Sequence, residues 1–311
     1  MENVVLHVVM AQWLNLKKMQ VKHSTFVKYK KVIECHIDPY FGRYTAHDLN
    51  EALLYDFFML KKEEVSGSML QTMRYLLKAI LSYACRDHGY PVISLDQIRL
   101  SMNKPLYKGL TKDEEQRLSS YGCEHLSALS LSILLGLYAG MRIGEICALR
   151  WQDVDLEEGL IQVHHTVQRL EKEDCTQDRT SLFLTEPKSH SSERAIPLIP
   201  FLQHYLRRYQ ECHGGDQDVF VISQEKKPLD PRTLQYRYKQ LCQKMDIQQS
   251  FHSLRHRFAT SCIENQVDVK SLSEVLGHAD ITTTLRRYVH SSMEFKKKQL
   301  SKLAVPHSFA E

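Results

Sequence analysis

The sequence predicts a mainly α-helical chain with a small antiparallel β-sheet, an α+β fold in two domains. Apolar residues recur at helical spacing over roughly the first ninety positions. Alternation typical of strands is confined to short stretches between residues 160 and 198. A segment with Pro, Gly and two Lys at 103–110 precedes a capping box, Thr111-Lys-Asp-Glu114. We therefore predict a helical domain at 1–102, a linker at 103–110 and a second domain at 111–311.

The N-terminal domain is predicted to be a bundle of four helices. Their apolar spacing places them at 4–18, 25–37, 47–63 and 67–89. Ser24 and Thr25 are candidate caps for the second helix. Pro39 is expected to end that helix and Gly42 to adopt a positive φ.

The second domain begins with helices, passes through a sheet and returns to helices. The first helices are predicted at 111–119, 125–139 and 143–148, the last limited by Gly140 and Gly144. Alternation then predicts three strands of one antiparallel sheet, at 160–167, 181–185 and 194–198. Asp230-Pro231 is an N-cap followed by Pro at the first helical position. The helices predicted from there on lie at 231–245, 252–265, 269–277, 280–289 and 293–303.

Charge is distributed unevenly along the 311 residues, whose formal net charge is +4. Residues 1–110 carry 15 Lys and Arg against 10 Asp and Glu, whereas residues 111–311 carry 26 against 27. The positive excess of the first third suits a surface that binds nucleic acid. Solvated lysines on helix faces would produce the same distribution, so charge alone leaves both interpretations open.

Cysteine usage and the N-terminus bear on the compartment. The eight cysteines lie far apart and form no CxxC pair, as in a reduced intracellular protein. Residues 1–13 lack the basic region of a signal peptide, and the longest charge-free apolar stretch, 126–141, is short for a membrane span. We expect a cytoplasmic protein with no membrane partner.

A set of cationic and hydroxyl side chains in the second domain suggests chemistry on phosphate. Its members are Arg142, Lys188, His252, Arg255, His278 and Tyr288. Two guanidinium groups can bind the oxygens of a phosphodiester and stabilise the charge that grows there during phosphoryl transfer. A tyrosine hydroxyl becomes a nucleophile when its proton is removed or its anion is stabilised, and a lysine can protonate the leaving oxygen.

No cofactor or metal is expected at this set. Paired carboxylates that would hold the ions of a two-metal nuclease do not accompany it. His252 and His256 have the spacing of zinc ligands on a helix, but no companion ligand is evident. Each residue alone has an ordinary structural interpretation, since Tyr288 is one of 15 tyrosines and a lysine such as Lys188 on a turn is usually solvated. The order and spacing of the whole set carry the inference.

The residues around this set resemble the phage integrase family of tyrosine recombinases. The matching stretches are GMRIGEICALRW, HSLRHRFAT and LGHADITTTLRRYVH, in that order, together with TFVKYKKVIECHIDPYFG in the first domain. The resemblance covers nearly the whole chain. It implies a SAM-like core-binding domain followed by the catalytic domain of a site-specific DNA recombinase that needs neither metal nor ATP.

Roles follow from the resemblance position by position. Arg142 and Arg255 would clamp the scissile phosphate, with His252 as general base or phosphate hydrogen-bonding group. Lys188 would protonate the leaving 5′-hydroxyl, His278 would support the transition state, and Tyr288 would become joined to a 3′-phosphate. Glu145 fills the acidic position of the family and is expected to orient the first of these arginines.

The sequence departs from the usual pattern of the family at two places. Arg257 stands where Ser or Thr is common and is expected to add a phosphate contact, and Asn265-Gln266 replaces a common Ala-Gly. In the first domain, Thr25, Lys28 and Lys31 are the expected DNA contacts. We expect no separate arm-binding domain, because the match begins near residue 4.

The resemblance also implies partners and leaves the biological role open. Double-stranded DNA recombination sites, a homotetramer on two such sites and accessory DNA-bending or directionality proteins are the expected partners, in a bacterial or phage context near the nucleoid. Integration and excision of a phage or conjugative transposon is the first interpretation, and resolution of chromosome or plasmid dimers is the alternative. A type IB topoisomerase and a catalytically silent DNA-binding regulator are less favoured. The amphipathic segment 293–303 is expected to dock on a neighbouring protomer.

Overall fold

Two compact units make up the chain, residues 1–107 and residues 108–311. The computed structural model describes residues 4–45, 48–95, 98, 109–171, 180–186, 193–288 and 297. Residues 103–108 of the predicted linker 103–110, the segment around Lys188 and the predicted tail helix 293–303 except position 297 lie outside the described residues. No helix in the described ranges combines the length and the apolar character that a membrane crossing requires.

The first unit is helical, as predicted. Its helices are α1 (Leu6–Gln20), α2 (His23–Val32), α3 (Asp38–Phe41), α4 (Glu51–Glu64) and α5 (Gly67–His88), with a π-helical turn at Ile33–Ile37. Asn50 and Ser66 cap α4 and α5 through their side chains, and Gly89 ends α5 with a φ of 68°. Phe41 and Phe57 are fully buried at the centre of the core.

The prediction of a turn around Pro39 is wrong. The helical path continues through the π turn into α3, and Pro39 stands in the first turn of α3, the part of a helix that tolerates proline. Gly42 has a φ of −55°, and the reason for glycine is instead contact, since a Cβ there would collide with Asp38. Ser24 and Thr25 do not cap α2, which begins one residue earlier without a side-chain cap.

The second unit surrounds a large apolar core. Its helices are α6 (Lys112–Glu124), α7 (Ala128–Tyr138), α8 (Ile143–Ala148), α9 (Pro200–His213), α10 (Pro231–Lys244), α11 (His252–Glu264), α12 (Val269–Leu276) and α13 (Ile281–Tyr288). The capping box at Thr111 and Glu114 is formed, which confirms the predicted start of α6. Helix α7 is buried along most of its length, including Leu131 and Leu134, and packs against α6 and α11.

In the described ranges the strands form two small sheets, where one was predicted. They are β1 (Val154–Asp155), β2 (Leu160–Val163), β3 (Thr166–Glu171), β4 (Thr180–Thr185) and β5 (Arg194–Pro197). The antiparallel order is β1-β2-β5 in one sheet and β3-β4 in the other. The predicted single strand 160–167 breaks at His164-His165. Alternation concealed the break, because Ile161 and Val163 before it and Val167 after it are all buried in the same core.

Helix α9 is an element for which the sequence analysis made no prediction. Leu202, Tyr205, Leu206 and Tyr209 are its buried residues, and their spacing is that of one helical face. Pro200 occupies its first turn. The signal was therefore present in the sequence, in the same form as for α10.

Two glycines place α8 between α7 and the sheet. Gly140 adopts a φ of +61° in the turn after α7, and a Cβ there would lie 2.5 Å from Phe258 Cδ1 on α11. A Cβ at Gly144 would lie 2.8 Å from the carbonyl oxygen of Val167 in β3. These close approaches bring the N-terminus of α8 next to the residues that follow.

Candidate active site

Arg142 is the N-cap residue of α8 and is tied to Glu145 within the same turn. Its backbone N–H donates to Glu145 Oε2 at 2.9 Å, and its Nη1 donates to Oε1 at 2.7 Å. These two bonds fix the direction in which the guanidinium group of Arg142 points from the start of α8. It remains 36% exposed, whereas the Glu145 side chain is 5% exposed. The expected orientation of Arg142 by Glu145 agrees with this geometry.

A second arginine, Arg194 from β5, shares the same carboxylate. Its Nη1 and Nη2 donate to Glu145 Oε1 and Oε2 at 3.1 and 2.9 Å, in a bidentate fork that is 5% exposed. Burial by itself would raise the pKa of Glu145, but the hydrogen bonds and charge of Arg194 and the charge of Arg142 lower that pKa to about 2. Glu145 is therefore ionised at neutral pH.

Arg255 is buried on α11 and held by backbone carbonyl groups. Its Nη1 donates to the carbonyl oxygen of Gly140 at 2.6 Å, and its Nη2 donates to that of Leu276. The residue is 2% exposed. These bonds hold the guanidinium, which stays positively charged, in one orientation.

The C-terminus of α12 collects all three arginines. The carbonyl oxygens of three successive residues, Val275, Leu276 and Gly277, accept hydrogen bonds from Arg194, Arg255 and Arg142. The last carbonyls of a helix lack partners within it and carry partial negative charge, so cations are stabilised there. Gly277 ends the helix with a φ of 62°, which turns the chain toward His278.

His278 connects this helix end to α13. Its Nε2 lies 3.3 Å from Nη2 of Arg255, and its Nδ1 lies 2.8 Å from Oγ1 of the buried Thr284. A guanidinium only donates hydrogen bonds, so Nε2 accepts, and the neutral ring carries its proton on Nδ1 and donates it to Thr284. The tautomer is thereby assigned from the hydrogen-bonding pattern.

His252 is the first residue of α11 and stands one turn before Arg255. It is exposed, and its ring meets that of His256 at 4.5 Å between centroids in an edge-to-face arrangement. In the part of the chain that the structure describes, no three His, Cys, Asp or Glu side chains are grouped so as to hold a metal ion.

The structure thus brings together Arg142, Arg255 and His278 of the predicted set, with His252 one helical turn away. Lys188 lies outside the described residues. Tyr288 is the last residue of α13, one turn after Thr284, and only its backbone is described. The sequence analysis did not identify Arg194 as a member of the site, and an arginine at the start of an alternating strand gives no signal of such a role.

The expected phosphate contact of Arg257 does not agree with the structure. Its Nε donates to Glu115 Oε2 at 2.6 Å and its Nη2 to Glu264 Oε2 at 2.9 Å, with the side chain 9% exposed. Two carboxylates thus engage the guanidinium, which joins α11 to the first turn of α6. At a position where the family commonly has Ser or Thr, Arg257 therefore forms ion pairs within the fold.

The expected DNA contacts of the first unit lie together on α2. Lys28 and Lys31 are exposed there, and Thr25 in the first turn is half-buried. The backbone N–H of Thr25 donates to the carbonyl oxygen of Lys22 at 2.8 Å. These positions are compatible with a basic helix face.

Comparison with known families decides the relationship. The model of the phage integrase family matches residues 108–294, and that of the phage integrase N-terminal SAM-like domain matches residues 6–82. The chain belongs to the phage integrase family. It is a tyrosine-type site-specific recombinase, and both the predicted resemblance and the predicted fold class are confirmed.

Curated relatives of this recombinase carry the names of Xer recombinases. The chain is 25% identical over 321 residues to the tyrosine recombinase XerC-like protein of Caldanaerobacter subterraneus subsp. tengcongensis, a match covering 93% of this chain and 80% of the relative. It is 27% identical over 246 residues to the tyrosine recombinase XerA of Thermococcus onnurineus, covering 78% and 79%.

Solved structures share the fold of this chain. The Tn1549 transposon integrase in complex with transposon right end DNA has a TM-score of 0.80 and 20% identity, covering 97% of this chain and 100% of that chain. A lambda integrase tetramer bound to a Holliday junction has a TM-score of 0.69 and 17% identity, covering 93% and 78%.

Proposed function

We propose that this recombinase cuts and rejoins DNA through Tyr288, with Arg142 and Arg255 clamping the scissile phosphate. The observation that carries the proposal is the convergence of both guanidinium groups on successive carbonyls at the end of α12. Pre-positioned cations of this kind stabilise the negative charge that develops on the non-bridging oxygens in the transition state.

The proposed reaction is a transesterification. The hydroxyl oxygen of Tyr288 attacks the phosphorus and loses its proton, with His252 as acceptor, and the bond to the 5′-oxygen breaks. Lys188 protonates that oxygen, which leaves as a hydroxyl. The product is a 3′-phosphotyrosyl ester, so one phosphodiester replaces another. The reverse attack by a 5′-hydroxyl rejoins the strand, and neither step requires ATP or a metal ion.

His278 supports the same step by acting on Arg255. Its Nε2 accepts from that guanidinium, and the bond from Nδ1 to Thr284 fixes the ring. Thr284 lies one turn before Tyr288 on α13. The proposed nucleophile and the proposed clamp are thus connected through one histidine, which supports a common site.

DNA binding is proposed to involve the basic helix of the first unit. Lys28 and Lys31 of α2 are exposed, and Thr25 lies in the first turn of the same helix. Contacts of Lys with phosphates release counterions, so the affinity for DNA should fall steeply with salt concentration. Contacts with base edges would select the site.

For the biological role we propose integration and excision of a mobile element by a tetramer on two DNA sites. Structures similar over almost the whole chain include those of the Tn1549 transposon integrase bound to transposon right end DNA and to circular intermediate DNA, with TM-scores of 0.80 and 0.78. Dimer resolution is the second candidate, because the curated relatives are named as Xer recombinases. A two-plasmid assay separates the two. A resolvase joins two copies of one site, whereas an integrase joins its element junction to a target of different sequence.

The proposed chemistry is tested by trapping the covalent intermediate. Binding sites are first selected from random duplexes with the Tyr288→Phe protein, and a nick is then placed beside the cleavage position so that the leaving fragment diffuses away. In EDTA, wild type should form a denaturant-resistant adduct with this DNA. Tyr288→Phe should bind it without forming an adduct, and Tyr236→Phe, a change at an exposed tyrosine of α10, should behave as wild type. Adduct formation by Tyr288→Phe overturns the proposal.

A further inference from the structure

Arg194 makes an ion pair with Glu145 and, in addition, a hydrogen bond to the end of α12. Its guanidinium forks onto both oxygens of Glu145, and its Nε donates to the carbonyl oxygen of Val275 at 2.6 Å. The side chain is 5% exposed. One residue of β5 therefore fixes both the carboxylate that holds Arg142 and the helix end on which Arg142 and Arg255 converge.

Charge at this cluster explains why a second arginine is useful. Glu145 paired with Arg142 alone would form a neutral pair, and its negative charge would weaken the attraction between Arg142 and a phosphodiester. With Arg194 on the same carboxylate, the group of two arginines and one glutamate has a net charge of +1. Because Arg194 is 5% exposed and Arg142 is 36% exposed, the surplus charge faces solvent through Arg142.

We propose that Arg194 is a positioning residue for strand cleavage, acting through Glu145 on the direction and the effective charge of Arg142. The inference rests on the proposed role of Arg142 as a phosphate clamp. Arg194 has no contact with the reacting atoms in this proposal. Its effect is to hold Glu145 in one orientation and to offset its charge.

The test compares Arg194→Lys with wild type in single-turnover cleavage at saturating nicked DNA. Lysine keeps the positive charge but presents its donors from one nitrogen, so it cannot reproduce the planar two-nitrogen fork together with the separate Nε bond. Misplacement of a catalytic group by about 1 Å can slow a reaction about 10²-fold, and a decrease of this order is expected with little change in DNA affinity. The single-turnover rate constant is independent of the fraction of folded protein, so it remains informative for a less stable variant.

A matched control is available in the same unit. Arg169 of β3 also makes an ion pair, from its Nε to Asp230 Oδ2 at 2.7 Å, and is half-buried; its side-chain hydrogen bonds in the described residues go to Asp230 and Thr180, not to Glu145 or the end of α12. Arg169→Lys should cleave at the rate of wild type. If Arg194 acts through Arg142, adding Arg194→Lys to an Arg142→Lys protein should lower the cleavage rate constant by less than a further threefold.

The outcomes separate this inference from the proposed function. Absence of an adduct with wild type would contradict the proposed function itself. If wild type cleaves and the rate constant of Arg194→Lys lies within threefold of the wild-type value, the positioning role is overturned. The positioning role would also be overturned if the decreases in rate constant caused by Arg194→Lys and by Arg142→Lys multiply in the double variant. The two arginines would then act independently.

Discussion

Replacing Glu145 by Gln should destabilise the second unit by an amount that depends on pH. Glu145 is 5% exposed and accepts hydrogen bonds from two arginines. Against the opposing effect of burial, these arginines lower its pKa from 4.5 to about 2 on folding. A group whose pKa is lower in the folded state stabilises the fold above its unfolded pKa, and that contribution is lost as pH falls through the folded pKa.

The size of the effect follows from the same values. One pKa unit corresponds to about 1.4 kcal/mol, so the difference between 4.5 and about 2 corresponds to about 3 kcal/mol of unfolding free energy at pH 7. For a unit of this size, that loss lowers the melting temperature by about 6–12 °C. Between pH 4.5 and 2 the difference between the two proteins should shrink, because wild-type Glu145 becomes neutral there as well.

Tryptophan fluorescence can report this unit alone. The chain has two tryptophans, Trp13 in the first unit and Trp151 in the second. Urea unfolding is therefore followed in a Trp13→Phe background, in which the buried Trp151 is the remaining tryptophan. As a control, Glu157→Gln removes a pair whose glutamate is 90% exposed and should change stability by less than about 0.5 kcal/mol.

Two results would refute the reasoning about Glu145. One is a stability within about 0.5 kcal/mol of wild type at pH 7, which would mean that the arginines contribute little to the fold through this carboxylate. The other is a loss that stays constant down to the acid limit of the folded state. Such a loss would indicate a packing effect of the amide instead of an effect of charge.

Three further substitutions test other parts of the structure, each by urea unfolding. Gly140→Ala should destabilise by more than about 1–2 kcal/mol, because alanine is disfavoured at a φ of +61° and its Cβ would lie 2.5 Å from Phe258 Cδ1; an unchanged midpoint would contradict that backbone. Gln266→Gly should stabilise by about 0.5–1 kcal/mol, because Gln266 has a φ of 63°. Arg257→Met should cost about 3 kcal/mol by leaving Glu115 unpaired, and adding Glu115→Gln should recover part of the loss; a double variant no better than Arg257→Met would contradict the pairing.

Local chemistry made much of the fold predictable. The capping box at Thr111 and the Asp230-Pro231 start of α10 involve residues within one turn, and the structure forms both. Two local predictions also failed, the turn at Pro39 and the caps Ser24 and Thr25. The error in the sheet occurred where distant contacts decide. The break at His164-His165 depends on β2 pairing with β5 and β3 with β4, and buried alternation on both sides conceals it.

The candidate site shows the same division. Arg142, His252, Arg255 and His278 stand in sequence motifs, and the structure gathers three of them at the end of α12. Arg194 lies 49 positions from Glu145, and its role depends on a shared carboxylate that only the fold brings within reach. The same reason explains Arg257, whose partner Glu115 is 142 positions away.

The central claim, that Tyr288 is the nucleophile, is tested most directly by mapping the attached nucleotide. The trapped adduct formed in EDTA is digested with nuclease and trypsin and analysed by mass spectrometry. Cleavage after Arg287 yields a peptide that begins with Tyr288 and ends at Lys296. The proposal predicts a 3′-linked nucleotide on the tyrosine of this peptide. A nucleotide on any other residue, or adduct-free DNA that has nonetheless been cut, would contradict it.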